Sequence, residues 1–285
     1  MVAVCYSGAL AGQDLLGKIS CHAAGLSEPE NRDHKKKLWD GYEISLGPAR
    51  GGHGDGDDCT AAIYNSAGRV VFRTTGYNVI FDEKHTGQDF DGDGKPEVVF
   101  LTDTGGGNHC CWAYNVIALS PTAHKLFDIE APGAVEFEND GQGKMLIWQR
   151  AAGPYGFTSM ARVPFAKKVF RVRDGKLVDA TPEFCSQIAS DQNEDYRAWN
   201  AELTAENIKL LQTMGSTLVE NEEIVSALLS RALQHIFCRQ FDAAISDLNL
   251  WPAGQRKEMK AQFAESIKGE YPEFAASLAD ANPGK

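Results

Sequence analysis

The sequence predicts an α+β protein, with an N-terminal antiparallel β domain (a sandwich or a partial propeller) followed by a C-terminal α-helical domain. Two observations carry this. Short apolar runs separated by Gly-, Asn- and Asp-rich turns fill the chain from about residue 40 to 182, as in antiparallel sheets. From about residue 190 the apolar period lengthens to that of helices. The expected organisation is an N-terminal segment over 1–39, a β-rich domain over 40–185 and a helical domain over 186–285.

Taken in order, Thr60–Tyr64 and Arg69–Arg73 flank Asn65-Ser66-Ala67-Gly68, a four-residue hairpin signal. Strands are expected next at Tyr77–Phe81, Glu97–Leu101, Trp112–Leu119 and Met145–Trp148. Val169–Arg173 and Lys176–Val178 flank Asp174-Gly175, the strongest short hairpin signal in the chain. Lys35-Lys36-Lys37, the one basic run, reads as a solvated loop or helix face. In the helical part, Thr217-Leu-Val-Glu220 has the form of a capping box. It opens onto Ile224, Val225, Leu228, Leu229, Ala232, Leu233, Ile236 and Phe237, an apolar stripe at helical spacing. Further helices are expected at about 192–213, 240–248 and 255–282, with Pro252 and Gly254 marking the break before the last.

The chemistry concentrates in Asp89-Phe90-Asp91-Gly92-Asp93-Gly94-Lys95-Pro96-Glu97. Acids at positions 1, 3, 5 and 9, with glycine at 6 for the sharp turn, gather hard oxygen ligands around one point, as Ca²⁺ requires. An EF-hand carries its closing Glu at position 12, whereas here the acid comes at 9 and leads straight into the apolar run Val98–Leu101. The loop with its strand, DFDGDGKPEVVF, resembles the FG-GAP or VCBS-type repeats of integrin-like proteins. That resemblance implies side-chain ligands from Asp89, Asp91, Asp93 and Glu97 and a backbone carbonyl from Lys95. An echo at Glu136–Lys144 places Lys144 where the first loop has Glu97, so this second loop is expected to be calcium-free. A closed propeller of about seven units exceeds the length available.

Directly after the strand, the run from Thr102 to Cys111 resembles a Thr-Gly-Gly-x-His-Cys-Cys signature of exported bacterial proteins carrying an FG-GAP-like loop. Gly105, Gly106 and Gly107 allow positive φ or close approach to another group, so Gly105–Gly107 with Asn108 and His109 form a candidate ligand loop. A tight strand connection explains the glycines equally well. Seven cysteines stand at 5, 21, 59, 110, 111, 185 and 238. Without Cys5 six remain, an even number suited to disulfides in an oxidising compartment. The expected pairs are Cys59 with Cys110 or Cys111, and Cys185 with Cys238. The start of the chain has an apolar flavour and an Ala9-Leu10-Ala11 triplet resembling a signal-peptidase site, but no charged n-region.

The net charge of −11 and pI near 5.1 weigh against nucleic-acid or anionic-membrane partners. No run reaches the ~18 apolar residues of a membrane span. No nucleophile elbow, Walker loop, dinucleotide fingerprint or zinc helix is present, which weighs against an enzyme. The expected protein is an exported, periplasmic or secreted, calcium-binding protein with a protein or glycan ligand. The alternative is a hydrolase acting on carbohydrate or cell-wall material in a cleft between the halves.

Overall fold

The computed structural model describes residues 19–20, 34–48, 59–103, 112–130, 135–141, 144–213 and 221–280. The candidate ligand loop Gly105–His109, Cys110, Cys111 and the Thr217–Glu220 capping box lie outside the described residues. Among the described residues, thirteen strands and seven α-helices follow one another in the predicted order, β structure first and helices after it. The chain divides into two compact units, residues 1–147 with 171–178, and residues 148–170 with 179–285.

In the first unit, β2 (His34–Lys37), β3 (Glu43–Pro48), β4 (Cys59–Tyr64) and β5 (Val70–Gly76) form an antiparallel sheet in chain order. The lysine run is therefore not a loop or helix face. It is the edge strand of this sheet, and lysines on an edge discourage pairing with another chain. The β4–β5 turn forms as its residues require. Asn65 Oδ1 accepts from the amides of Ala67 and Arg69 at 3.1 and 3.0 Å, and Gly68 takes a φ of +71°.

A second antiparallel sheet has the order β1 (Ile19–Ser20), β6 (Asn78–Phe81), β7 (Val98–Asp103), β8 (Trp112–Ala118), β9 (His124–Glu130). Ile44, Leu46 and Ile63 of the first sheet share one buried core with Val79, Phe81, Val98, Phe100 and Ile117 of the second. A third sheet runs β10 (Val135–Asn139), β11 (Met145–Ala152), β12 (Phe165–Arg173), β13 (Lys176–Asp179). At the β12–β13 turn Asp174 and Gly175 both take positive φ, +51° and +69°, the conformation that an Asp-Gly hairpin turn needs.

The second unit is built around α4 (Glu222–Phe237), preceded by α1 (Cys185–Ile188), α2 (Glu194–Glu202) and α3 (Ala205–Thr213). It is followed by α5 (Phe241–Leu248), α6 (Arg256–Ile267) and α7 (Pro272–Asp280). All eight residues of the predicted stripe are buried. Two polar residues share that buried face, Ser230 and Gln234. Ser230 Oγ accepts from the Phe165 amide at 3.0 Å, and the Gln234 side chain accepts from Lys167 N and donates to Lys167 O at 2.9 and 3.1 Å. These side chains satisfy half-buried backbone groups of β12. Cys185 and Cys238 form the expected disulfide, with Cα atoms 5.6 Å apart. Cys59 is disulfide-bonded as well.

Two expected long helices are broken. The 192–213 segment divides at Leu203-Thr204, where Thr204 Oγ1 caps α3 by accepting from the Asn207 amide at 3.2 Å. The 255–282 segment divides before Pro272, since proline in a helix interior removes a hydrogen bond and clashes with the preceding turn. Asn193 caps α2, its Oδ1 accepting from Tyr196 N at 3.1 Å. Asn193→Ala should cost about 1 kcal/mol in urea unfolding while Asn193→Asp costs far less; equal midpoints for both variants would show that the cap is idle.

Candidate metal centre

The acidic loop belongs to the connection between β6 and β7. It is closed at its base by two backbone hydrogen bonds, Gly87 N to Glu97 O at 2.8 Å and Glu97 N to Gln88 O at 2.9 Å. Beneath that closure lies a turn organised by Asp82. Asp82 Oδ1 accepts from the Lys84 and His85 amides, and Oδ2 lies 2.7 Å from His85 Nδ1. Thr86 Oγ1 accepts from Val99 N at 3.0 Å, joining this turn to the start of β7.

Inside the loop the acids turn the backbone around themselves. Asp89 Oδ1 accepts from Gly92 N at 2.7 Å and Oδ2 from Gly94 N at 2.8 Å. Asp91 Oδ1 accepts from Asp93 N at 3.0 Å, and Glu97 Oε2 from Phe90 N at 2.7 Å. Gly92 and Gly94 take φ values of +83° and +82°, which L side chains adopt only under strain. Phe90, between two acids in sequence, is buried and packs edge-on against Phe127 and Phe137. It anchors the acidic loop to the apolar interior.

One carboxylate oxygen each from Asp89, Asp91 and Glu97 lie within 4.8 Å of one another. Ligands held 2.3–2.6 Å from a calcium ion stand at most about 5 Å apart, so the spacing suits that ion. Asp91 Oδ2 and Glu97 Oε1 accept no hydrogen bond among the described residues. The donor set is all oxygen, hard and anionic, and supplies three of the six to eight ligands that Ca²⁺ takes. Electrostatics agree: Glu97 is only 2% exposed, and its carboxyl is pushed up to about 8 by burial, against the opposing Phe90 N–H, with the Asp91, Asp89 and Asp93 charges adding to the rise. A cation among these groups would oppose that rise by favouring the charged carboxylate.

Of the four acids named from the sequence, three are brought together. The fourth, Asp93, is exposed and turned to Lys95, with Oδ2 3.0 Å from Nζ and Oδ1 accepting from Lys95 N at 2.8 Å. That lysine holds the Asp93 carboxyl below the usual range. Both the amide and the ammonium of Lys95 donate to Asp93. The echo at 136–144 is built differently: Glu136–Asn139 lie in β10, and Asp140 pairs with Lys144 through backbone and side chain in a hairpin turn. Sequence reading missed the Asp82 turn and the Phe90 anchor. An acid three residues before a histidine, and an aromatic among acids, were the available signals.

No protein-family model matches the sequence, and no curated protein does. Among solved structures, PliI-Ah, a periplasmic lysozyme inhibitor of I-type lysozyme from Aeromonas hydrophyla, is similar at 14% identity over 35% of this chain and 89% of that chain, with a TM-score of 0.25. A likeness of that size assigns neither fold nor partner. No helix among the described residues is long and apolar enough to cross a membrane.

Proposed function

We propose that the protein is an exported calcium-binding protein of FG-GAP type, whose loop from Asp89 to Glu97 holds one structural Ca²⁺ and whose role is to bind a protein or glycan. The convergence of Asp89, Asp91 and buried Glu97 carries this reading. Bound there, calcium would neutralise the three carboxylates. The chain's own residues do the rest: Phe90 ties the loop to the interior, and the Gly87–Glu97 and Gln88–Glu97 bonds fix where β7 begins. The Cys185–Cys238 disulfide supports an oxidising compartment, where millimolar calcium fills sites of moderate affinity. The ligand-binding part of the proposal rests on the sequence of Gly105–His109.

Titration calorimetry on EDTA-stripped protein tests it, with Asp91→Asn as the control. Asparagine keeps an oxygen for the Asp93 amide and removes one charge from the cluster. Wild type should bind one Ca²⁺ with a Kd of about 1 mM or tighter, and the variant at least about tenfold more weakly. Absence of saturable heat at millimolar calcium, or equal binding by the variant, rejects the metal site.

A further inference from the structure

A groove of about 770 Å³ runs along α6 and α7 in the second unit. Its apolar lining includes Ala264, Ala275 and Leu278. Lys257 and Lys260 of α6 and Lys268 just beyond its end stand around it with one acid, Glu265, in a chain whose net charge is −11. Lys268 is paired with Glu265. Lys257 and Lys260 make no ion pair among the described residues.

Lys260 is the informative one. It is only 8% exposed, and the single polar contact of its side chain among the described residues is a 2.7 Å hydrogen bond from Nζ to Asn249 Oδ1, a neutral partner. An ammonium has three donors, and buried charges are ordinarily paired. Burial, with the neighbouring Arg256 charge, lowers the pKa of this lysine, which is the effect of a cation without a counter-ion. An anionic head beside an apolar lining therefore answers both features of the groove, and its volume lies in the ~300–1,000 Å³ range of small-molecule sites.

We infer that this groove binds a free long-chain carboxylate, with its head at Lys257 and Lys260 and its chain over Ala264, Ala275 and Leu278. The site is independent of the calcium loop. Decanoate, titrated calorimetrically into the full chain below its micellar concentration, is the probe, with 1-decanol as the uncharged comparison. Two variants at exposed positions keep the result interpretable: Lys257→Glu reverses a charge at the head, and Ala276→Trp fills the groove. Saturable one-to-one binding is expected, weakened about tenfold or more by Lys257→Glu, lost in Ala276→Trp, and much weaker for decanol. Unchanged thermal midpoints in both variants would show that folding is intact. Failure of decanoate to saturate, wild-type affinity in both variants, or decanol binding as tightly as decanoate overturns the inference.

Discussion

Glu97→Gln should lose calcium binding while leaving the metal-free protein as stable as wild type, or more stable, above about pH 8. Glutamine keeps an oxygen for the Phe90 amide and removes the one buried acid of the cluster. In wild type, the folded carboxyl titrates near 8 against an ordinary value of 4.5. Its protonated form is thus favoured by folding, and the stability tied to it is complete below about pH 4.5 and lost as pH rises through about 8. Melting temperatures in EDTA at pH 6 and pH 9 should therefore fall in wild type and hold more nearly level in the variant. Calcium should reverse the wild-type loss, because a ligand bound only by the native state adds about 2.7 kcal/mol at one hundred times its Kd. A variant that melts lower than wild type in EDTA at pH 9, with the same pH trend, would falsify this account of the loop.

Asp247→Ala should cost about 3–5 kcal/mol, nearer the lower figure because Arg231 keeps 17% of its side chain in solvent. Arg231 Nε and Nη2 reach the Asp247 carboxylate at 3.1 and 2.6 Å, and Nη1 donates to Asn200 Oδ1 at 2.9 Å. His235 Nε2 lies 3.6 Å from Asp247 Oδ2 and 3.3 Å from the Tyr196 hydroxyl, so α2, α4 and α5 meet in one network. Removing the acid leaves a guanidinium largely out of water without its counter-charge. Replacing both members, Arg231→Met with Asp247→Leu, should recover most of the loss, since apolar substitution of a whole pair is often neutral. Urea midpoints of the two singles and the double form the cycle. A loss under about 1 kcal/mol in Asp247→Ala would mark the pair as solvated.

The order of strands and helices was legible because it rests on local period, and the β12–β13 turn because Asp174-Gly175 permits few alternatives. Strand β2 was not. Lysine is uncommon in strands, and an edge strand facing water has no apolar alternation to betray it. The break at Pro272 stood in the sequence, but the apolar pattern on either side masked it. For the loop, spacing alone placed Asp89, Asp91 and Glu97 around one point. It could not show Asp93 turning away, because the competitor is a lysine two residues on whose ammonium and amide both reach the same carboxylate. The buried Ser230 and Gln234 were invisible within an apolar stripe, since their partners are backbone atoms about 65 residues earlier.

Those two side chains make α4 a ruler for β12. Ser230 and Gln234 are four residues apart on a helix, about 6.0 Å along its axis, while their partners Phe165 and Lys167 are two apart on a strand, about 6.6 Å. The pitches agree over one turn and drift apart beyond it, so two contacts fit where a longer series would not. A residue inserted between Ser230 and Gln234 would turn the second by about 100° away from the strand. The helix is thereby locked in rotation as well as position, a constraint usually supplied by one strand to another.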